Sequence, residues 1–317
     1  MTAPTTVTSQ DTRRPPGTVP AFAPQLGEAP GVAVRDAGAP GRRRTGPWRT
    51  LRRQPGLVLA LLVLVTALAW AVVPGAFTPA DPITGIPAER LQAPSGLHPF
   101  GTDHLGRDLF ARVVHGSALS LRATVVAVVV GLVAGSALGL LAGYLRGWVD
   151  DLVGRLVDVL LAVPGLLLSL AIVTVLGFGS VNVAIAVGLT SVASFARVMR
   201  AEALRTSTSV YVEAARASGA RWYSVVGRHV LPNSTGPVVA LGALEFGTAI
   251  LAISALSFLG YGAAPPAPEW GSLVSEGRSY LATAWWLATF PGLVIAAVVL
   301  AANRVARALE PQQEEDA

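Results

Sequence analysis

Residues 57–73 form a nearly unbroken apolar run about long enough to cross a bilayer. Five more follow, at about 119–144, 155–178, 181–198, 237–259 and 285–302. Few architectures accommodate such a chain. Apolar runs of this length must satisfy their backbone groups internally, so each is read as a helix and the chain as an all-α, polytopic membrane protein with six transmembrane helices. Composition agrees: 317 residues, 52% hydrophobic and 14% charged, exclude an ordinary soluble domain. Cysteine is absent, which excludes disulfides and cysteine metal sites. The net charge of +5 comes entirely from arginine, so its placement relative to the membrane decides its meaning.

The arginines set an orientation. Residues 1–50, rich in Pro, Gly, Ala, Thr and Arg without apolar periodicity, are expected to form a disordered cytoplasmic tail. Arg42, Arg43, Arg44, Arg49, Arg52 and Arg53 crowd the start of the first span and hold the N-terminus in the cytoplasm. A lead of about 50 residues is long for a cleaved signal, so the first span is read as an uncleaved helix. The transmembrane body then occupies residues 51–310, and an acidic tail, 311–317, follows Arg304 and Arg307 on the cytoplasmic side. Arg205, Arg216, Arg221 and Arg228 lie in a cytoplasmic segment, 200–235, where the positive-inside rule expects them, and require no nucleic-acid partner.

Two polar loops face the other side. The first, from Pro74 to about Gly116, is expected to be a loop ending in a short helix. Its His98, Asp103, His104 and Asp108 invite a metal hypothesis but lack a ligand spacing; Asp–Arg pairing and a capped turn explain them better. The second runs from Tyr261 to Ala284, and Trp270, Trp285 and Trp286 are expected to anchor the outer interface. Between the loops, Gly131, Gly135, Gly139 and Gly143 recur every fourth residue, a helix-packing seam. Pro164 and Gly165 predict a kink in the third span. Glu245 is the ionisable group inside a span. It either lines the pathway or packs against Ser191 or Asn182.

The cytoplasmic stretch Ser207–Asn233 reads as two short helices. Ser207, Thr208 and Ser209 can cap the first, Gly219 is a left-handed stop, and Pro232 is expected to end the second. In the second helix Trp222, Val225, Val226 and Val230 form an apolar side while Arg221 and Arg228 point elsewhere. A hairpin with an exposed apolar face suits docking into a groove of another protein. Glu213, Ala214, Ala215, Gly219, Leu231 and Pro232 also match the E-A-A-x3-G-x9-I-x-L-P loop of ABC importer permeases, with His229 in place of the isoleucine.

Further stretches resemble the same family in order: Gly101, Thr102, Asp103, Gly106, Arg107 and Asp108 ahead of the second span, GWVDDLVGR, SFLGYG, and PPAPEWG after the fifth. The chain is similar, over about residues 95–310, to the second permease subunit of dipeptide, oligopeptide and nickel ABC importers. That resemblance implies the type I importer permease fold and a bacterial cell-membrane location with both termini cytoplasmic. It implies a second homologous permease, two ABC ATPases and an extracytoplasmic solute-binding protein as partners within the lipid bilayer. It also implies docking of the ATPase on Glu213, Ala214, Ala215, Gly219, Arg221, Leu231 and Pro232, with Asp103, Gly106, Arg107 and Asp108 forming the extracytoplasmic motif. Family members often carry another acid further along the fifth span, where this chain has Ile253 and Ser254.

No cofactor is expected on this chain. It has no G-x4-G-K-[ST] loop and no lysine to serve one, so ATP and Mg would be bound by the partners, and the chain is read as a transport subunit, not an enzyme. The competing class is a secondary carrier or channel using Glu245 as a proton or ion site, against which the cytoplasmic hairpin argues. An integral-membrane enzyme would need a reactive constellation, and His98, His104 and His115 lack zinc-type spacing.

Overall fold

The computed structural model describes residues 55–309. The tail expected at 1–50, its arginines and the acidic segment 311–317 lie outside the described residues. Ten α-helices carry the fold: α1 Pro55–Val72, α2 Leu109–Leu145, α3 Trp148–Ala162, α4 Gly165–Leu176, α5 Ser180–Ser207, α6 Val210–Ala217, α7 Trp222–Val225, α8 Leu231–Phe258, α9 Trp270–Gly277 and α10 Trp286–Leu309. Five runs are individually long and apolar enough to cross a membrane, and the pair α3 and α4 makes a sixth if counted as one broken span.

The longest contact in the bundle is the seam of α2 against α5. A β-carbon on Gly135 would lie 2.5 Å from the Val192 carbonyl and from Phe195 Cβ, and one on Gly143 would lie 2.7 Å from the Arg200 carbonyl. The four-residue glycine spacing therefore lets two backbones meet directly, which dispersion rewards where lipid gives no hydrophobic drive for helix pairing. Around this pair α8 packs on α5, α10 packs on α8, and α1 bridges α10 and α2. The core at the end bearing residues 74–108 joins Leu109 and Val113 of α2, Ile250 of α8, Trp270 and Leu273 of α9, and Trp286 of α10.

Several expected boundaries move. The second span does not start near 119: α2 is one helix of 37 residues from Leu109, about 55 Å long, because Asp108 caps it where a separate short helix was expected. The fourth span continues to Ser207. The third bends at Pro164 and Gly165 as expected, but the bend is a break between two helices and not a kink within one. Val163 and Pro164 are extended, and α3 and α4 meet at 98°; proline disfavours helical geometry in the residue before it and supplies no N–H of its own.

Pro232 does not end a helix either. It sits in the first turn of α8, and the run from Trp222 to Phe258 is one 37-residue helical stretch. The turn before it, Val226–Val230, widens to a π-helix, with Leu231 N–H bonding the Val226 carbonyl. The wider turn makes room for a ring that would otherwise strike the carbonyl four residues back.

Candidate functional site

Three places gather the residues singled out by the sequence. The first is a cavity of about 400 Å³ beside the α3/α4 break. Its polar wall is built by Thr190, Ser191 and Ser194 of α5 with Glu245 and Thr248 of α8; Leu160, Leu161, Leu166 and Val187 supply apolar surface. Ser191 Oγ and Thr248 Oγ1 each donate to Glu245 Oε2 at 3.0 Å. Of the two partners expected for Glu245, Ser191 is present. Asn182 instead donates to the Leu176 carbonyl at 2.9 Å, closing the end of α4. Ile253 is buried among α5 residues, and neither it nor Ser254 lines the cavity.

The second place is the hairpin. Val212, Val225 and Val230 bury against Ala203, with Leu140 and Tyr144 at the end of α2 packed beside them. The Arg216 guanidinium lies 4.8 Å from the centre of the Tyr144 ring, and Tyr211 and His229 face each other at 6.3 Å between ring centres. The residue that departs from the permease pattern is thus packed against an aromatic ring. Gly219 has φ +81°, and its N–H bonds the Arg216 carbonyl while Ala220 N–H bonds the Ala215 carbonyl, the paired closure that a left-handed glycine makes possible. Ser209 occupies the cap position of α6 without a side-chain cap bond; its hydroxyl donates to the Thr206 carbonyl, and Ser207 ends the preceding helix.

Little of this hairpin is covered. Glu213, Ala214, Gly219, Arg221, Leu231 and Pro232 are exposed and Ala215 is half-buried. Val210, Tyr211 and Tyr223 are exposed too, as is Trp222 at 56%, so of the apolar face expected to be exposed Trp222 is uncovered while Val225 and Val230 are buried. The apolar groups split by helical register, with Val225 and Val230 turned inward and Trp222 outward.

The third place is at the opposite end of the bundle. Asp103 is buried and accepts from the backbone N–H of Leu105 and Arg107, from Arg107 Nε at 2.6 Å and from an Arg112 guanidinium nitrogen at 3.0 Å. Burial opposes its ionisation, but the backbone donors and the two guanidiniums outweigh it and hold the carboxyl below its ordinary range. Arg112 also reaches Glu276 at 2.6 Å and Arg107 reaches it at 3.3 Å. Gly106, at φ +77°, brings its backbone against the Ile86 carbonyl, where no β-carbon fits. Asp108 caps α2 through Ala111 N–H at 2.7 Å and pairs with His98 Nδ1 at 2.7 Å.

The Asp–Arg pairing and capped turn favoured over a metal for these residues are what form there. His98 goes to Asp108, while His104 stacks on Tyr280 near Asp103 and Glu276. Both of those carboxyls already hold arginines. The tryptophans are corrected as well: Trp270 is fully buried and donates to the Val113 carbonyl at 3.0 Å, Trp286 is buried and donates to the Thr102 carbonyl at 3.3 Å, and of the three Trp285 alone is exposed. Their N–H groups serve the protein interior instead of a membrane interface.

Sequence reasoning missed Arg112, Glu269 and Glu276. Glu269 is buried, accepting from Ser257 Oγ at 2.5 Å and Ala263 N–H at 3.0 Å, and burial pushes its carboxyl up. Its place inside PPAPEWG was the available signal. Glu276 meets Arg112 across 164 residues, a pairing no local pattern announces.

Comparison with known proteins gives a consistent result. The family described as binding-protein-dependent transport system inner membrane component matches residues 135–315. The dipeptide transport system permease protein DppC of Alkalihalophilus pseudofirmus is 38% identical over 82% of this chain and 86% of its own length. The glutathione transport system permease protein GsiD of Shigella flexneri is 43% identical over 81% and 85%.

Proposed function

The chain belongs to the family of binding-protein-dependent transport system inner membrane components, and we propose that it forms half of an importer pathway for small peptides or related solutes such as nickel chelates. It is a multi-pass permease subunit of an ABC importer, a translocation subunit and not an enzyme, in a family whose members work with ATPase and binding-protein partners. The peptide assignment rests on the substrates named for its relatives. In the proposed assembly a second homologous permease completes a type I pathway and two ATPases bind ATP and Mg, leaving this chain without a cofactor.

The observation that carries this reading is the uncovered hairpin. Glu213, Ala214, Gly219, Arg221, Leu231 and Pro232 are exposed and Ala215 is half-buried, over a side already filled by Val212, Val225 and Val230. An ATPase cleft is the proposed occupant, with the chain ends and the hairpin on the cytoplasmic side and the Asp103, Gly106, Arg107 and Asp108 turn facing the binding protein. The α3/α4 break supports the second permease. Residues 161–167 are exposed there, and irregular backbone at membrane depth needs protein or water against it, not lipid.

The test is purification of the tagged chain in mild detergent, identification of what accompanies it, and reconstitution into vesicles. Recovery with a second permease and ATPases, and dipeptide uptake that follows ATP, is expected. Uptake by the chain alone that follows a proton gradient would establish the secondary carrier instead.

A further inference from the structure

Glu245 has no counter-charge among the described residues. Both hydroxyls that reach it lie 3.0 Å from Oε2, Thr248 Oγ1 sharing its proton with the Glu245 backbone carbonyl at 2.9 Å, and Oε1 has no donor among the described residues. The arginines further along α5 are engaged elsewhere: Arg197 with Asp158, Arg200 with Asp150 and Arg205 with Glu202. An acid within a membrane span normally faces protein partners or a water-filled cavity. Here it faces the open cavity, ringed by Thr190, Ser194 and the two bonded hydroxyls.

Resting on the reading of this cavity as part of the import pathway, we propose that Glu245 and its hydroxyls form a subsite for a primary ammonium group, the free amino end of the cargo. The donor arithmetic fits. An ammonium brings three N–H donors and no acceptor, and the wall offers an unengaged carboxyl oxygen plus hydroxyl lone pairs. A quaternary ammonium would call for an aromatic cage, and no aromatic side chain lines this wall. A divalent metal would call for several anionic or imidazole ligands, and Glu245 is the one such group in the lining. The leucines at the break leave apolar surface beside the acid for an uncharged cargo body.

The absence of native cysteine makes the test direct. Ser194→Cys places one thiol on the cavity wall of the full transporter, and intact mass of this chain reads its modification. Three methanethiosulfonate reagents are compared, each normalised to its rate with a free small thiol: aminoethyl, trimethylammonioethyl and sulfonatoethyl.

The aminoethyl reagent is expected to react about tenfold faster than the sulfonatoethyl reagent, the factor given by about 1.4 kcal/mol of charge interaction, with the trimethylammonioethyl reagent between them. Adding Glu245→Gln should bring the three rates together, and Glu245→Asp should keep them apart. Rates that differ equally with and without Glu245→Gln overturn the subsite while leaving the pathway intact. Absence of labelling by all three reagents overturns the pathway reading itself. If the Glu245→Gln complex is not recovered, equal normalised rates in the Ser194→Cys chain alone still overturn the proposal.

Discussion

The two ends of this bundle treat their polar groups in opposite ways. At one end, Asp103, Arg107, Arg112 and Glu276 pair with one another, and Asp103 and both arginines are buried. At the other, Glu213 and Arg221 stand in solvent beside exposed Val210, Trp222 and Tyr223. Both carry charges in the same family-like sequence blocks. The difference is one of partners: the first cluster has its partners within the chain, while the hairpin presents apolar and charged groups that nothing among the described residues covers. Substitutions at the first end should therefore damage the fold, and those at the second should damage work done with a partner.

The largest effect is expected from Arg112→Met. It strips a buried guanidinium from two carboxyls and should cost about 3–5 kcal/mol, the range for breaking a buried ion pair from one side. Thermal unfolding in detergent would read it, and an unchanged midpoint would remove the distinction between the ends. Acid should produce a related loss. With its folded pKa below the ordinary 3.8, Asp103 contributes stability fully present above that value and lost as pH falls through the lower folded one.

Gly219→Val comes next. A branched residue at φ +81° should cost about 1–2 kcal/mol of local strain, leaving the bundle folded while ATP-driven uptake collapses. Wild-type uptake in that variant would break the assignment of work to the hairpin. Glu269→Gln should act the other way. Burial raises the folded pKa above the ordinary 4.5, so the acid holds its proton more tightly when folded, and its contribution declines as pH rises from 4.5 through the folded value. The amide should thus match or exceed wild-type stability at pH 7 and lose that advantage below 4.5 in a melting series. The smallest effect belongs to Tyr223→Ser, within about 0.5 kcal/mol in stability. Weaker recovery of ATPase with the purified variant would sharpen the comparison.

The helices were legible because membrane helices declare themselves by run length, and the seam because glycine spacing is periodic. Gly219 was legible as a stop for a local reason, its need for positive φ. What escaped was non-local or strained. Pro232 reads as a terminator, yet the helix continues through it after a π-turn. Trp270 and Trp286 read as interface anchors until the carbonyls of Val113 and Thr102 claim their N–H groups. Glu276 and Arg112 became partners through tertiary folding alone.

That uninterrupted run from Trp222 to Phe258 has a mechanical consequence. At 1.5 Å per residue its 37 residues make a rod of about 55 Å, with the surface proposed for docking at its start, Glu245 along its length, and Ser257, the donor to Glu269, at its far end. A tilt of about 10° about the middle would swing each end by about 5 Å in opposite directions. Any force applied at Trp222 thus arrives at the far loop as an inverted stroke, a see-saw with the acid riding on its beam.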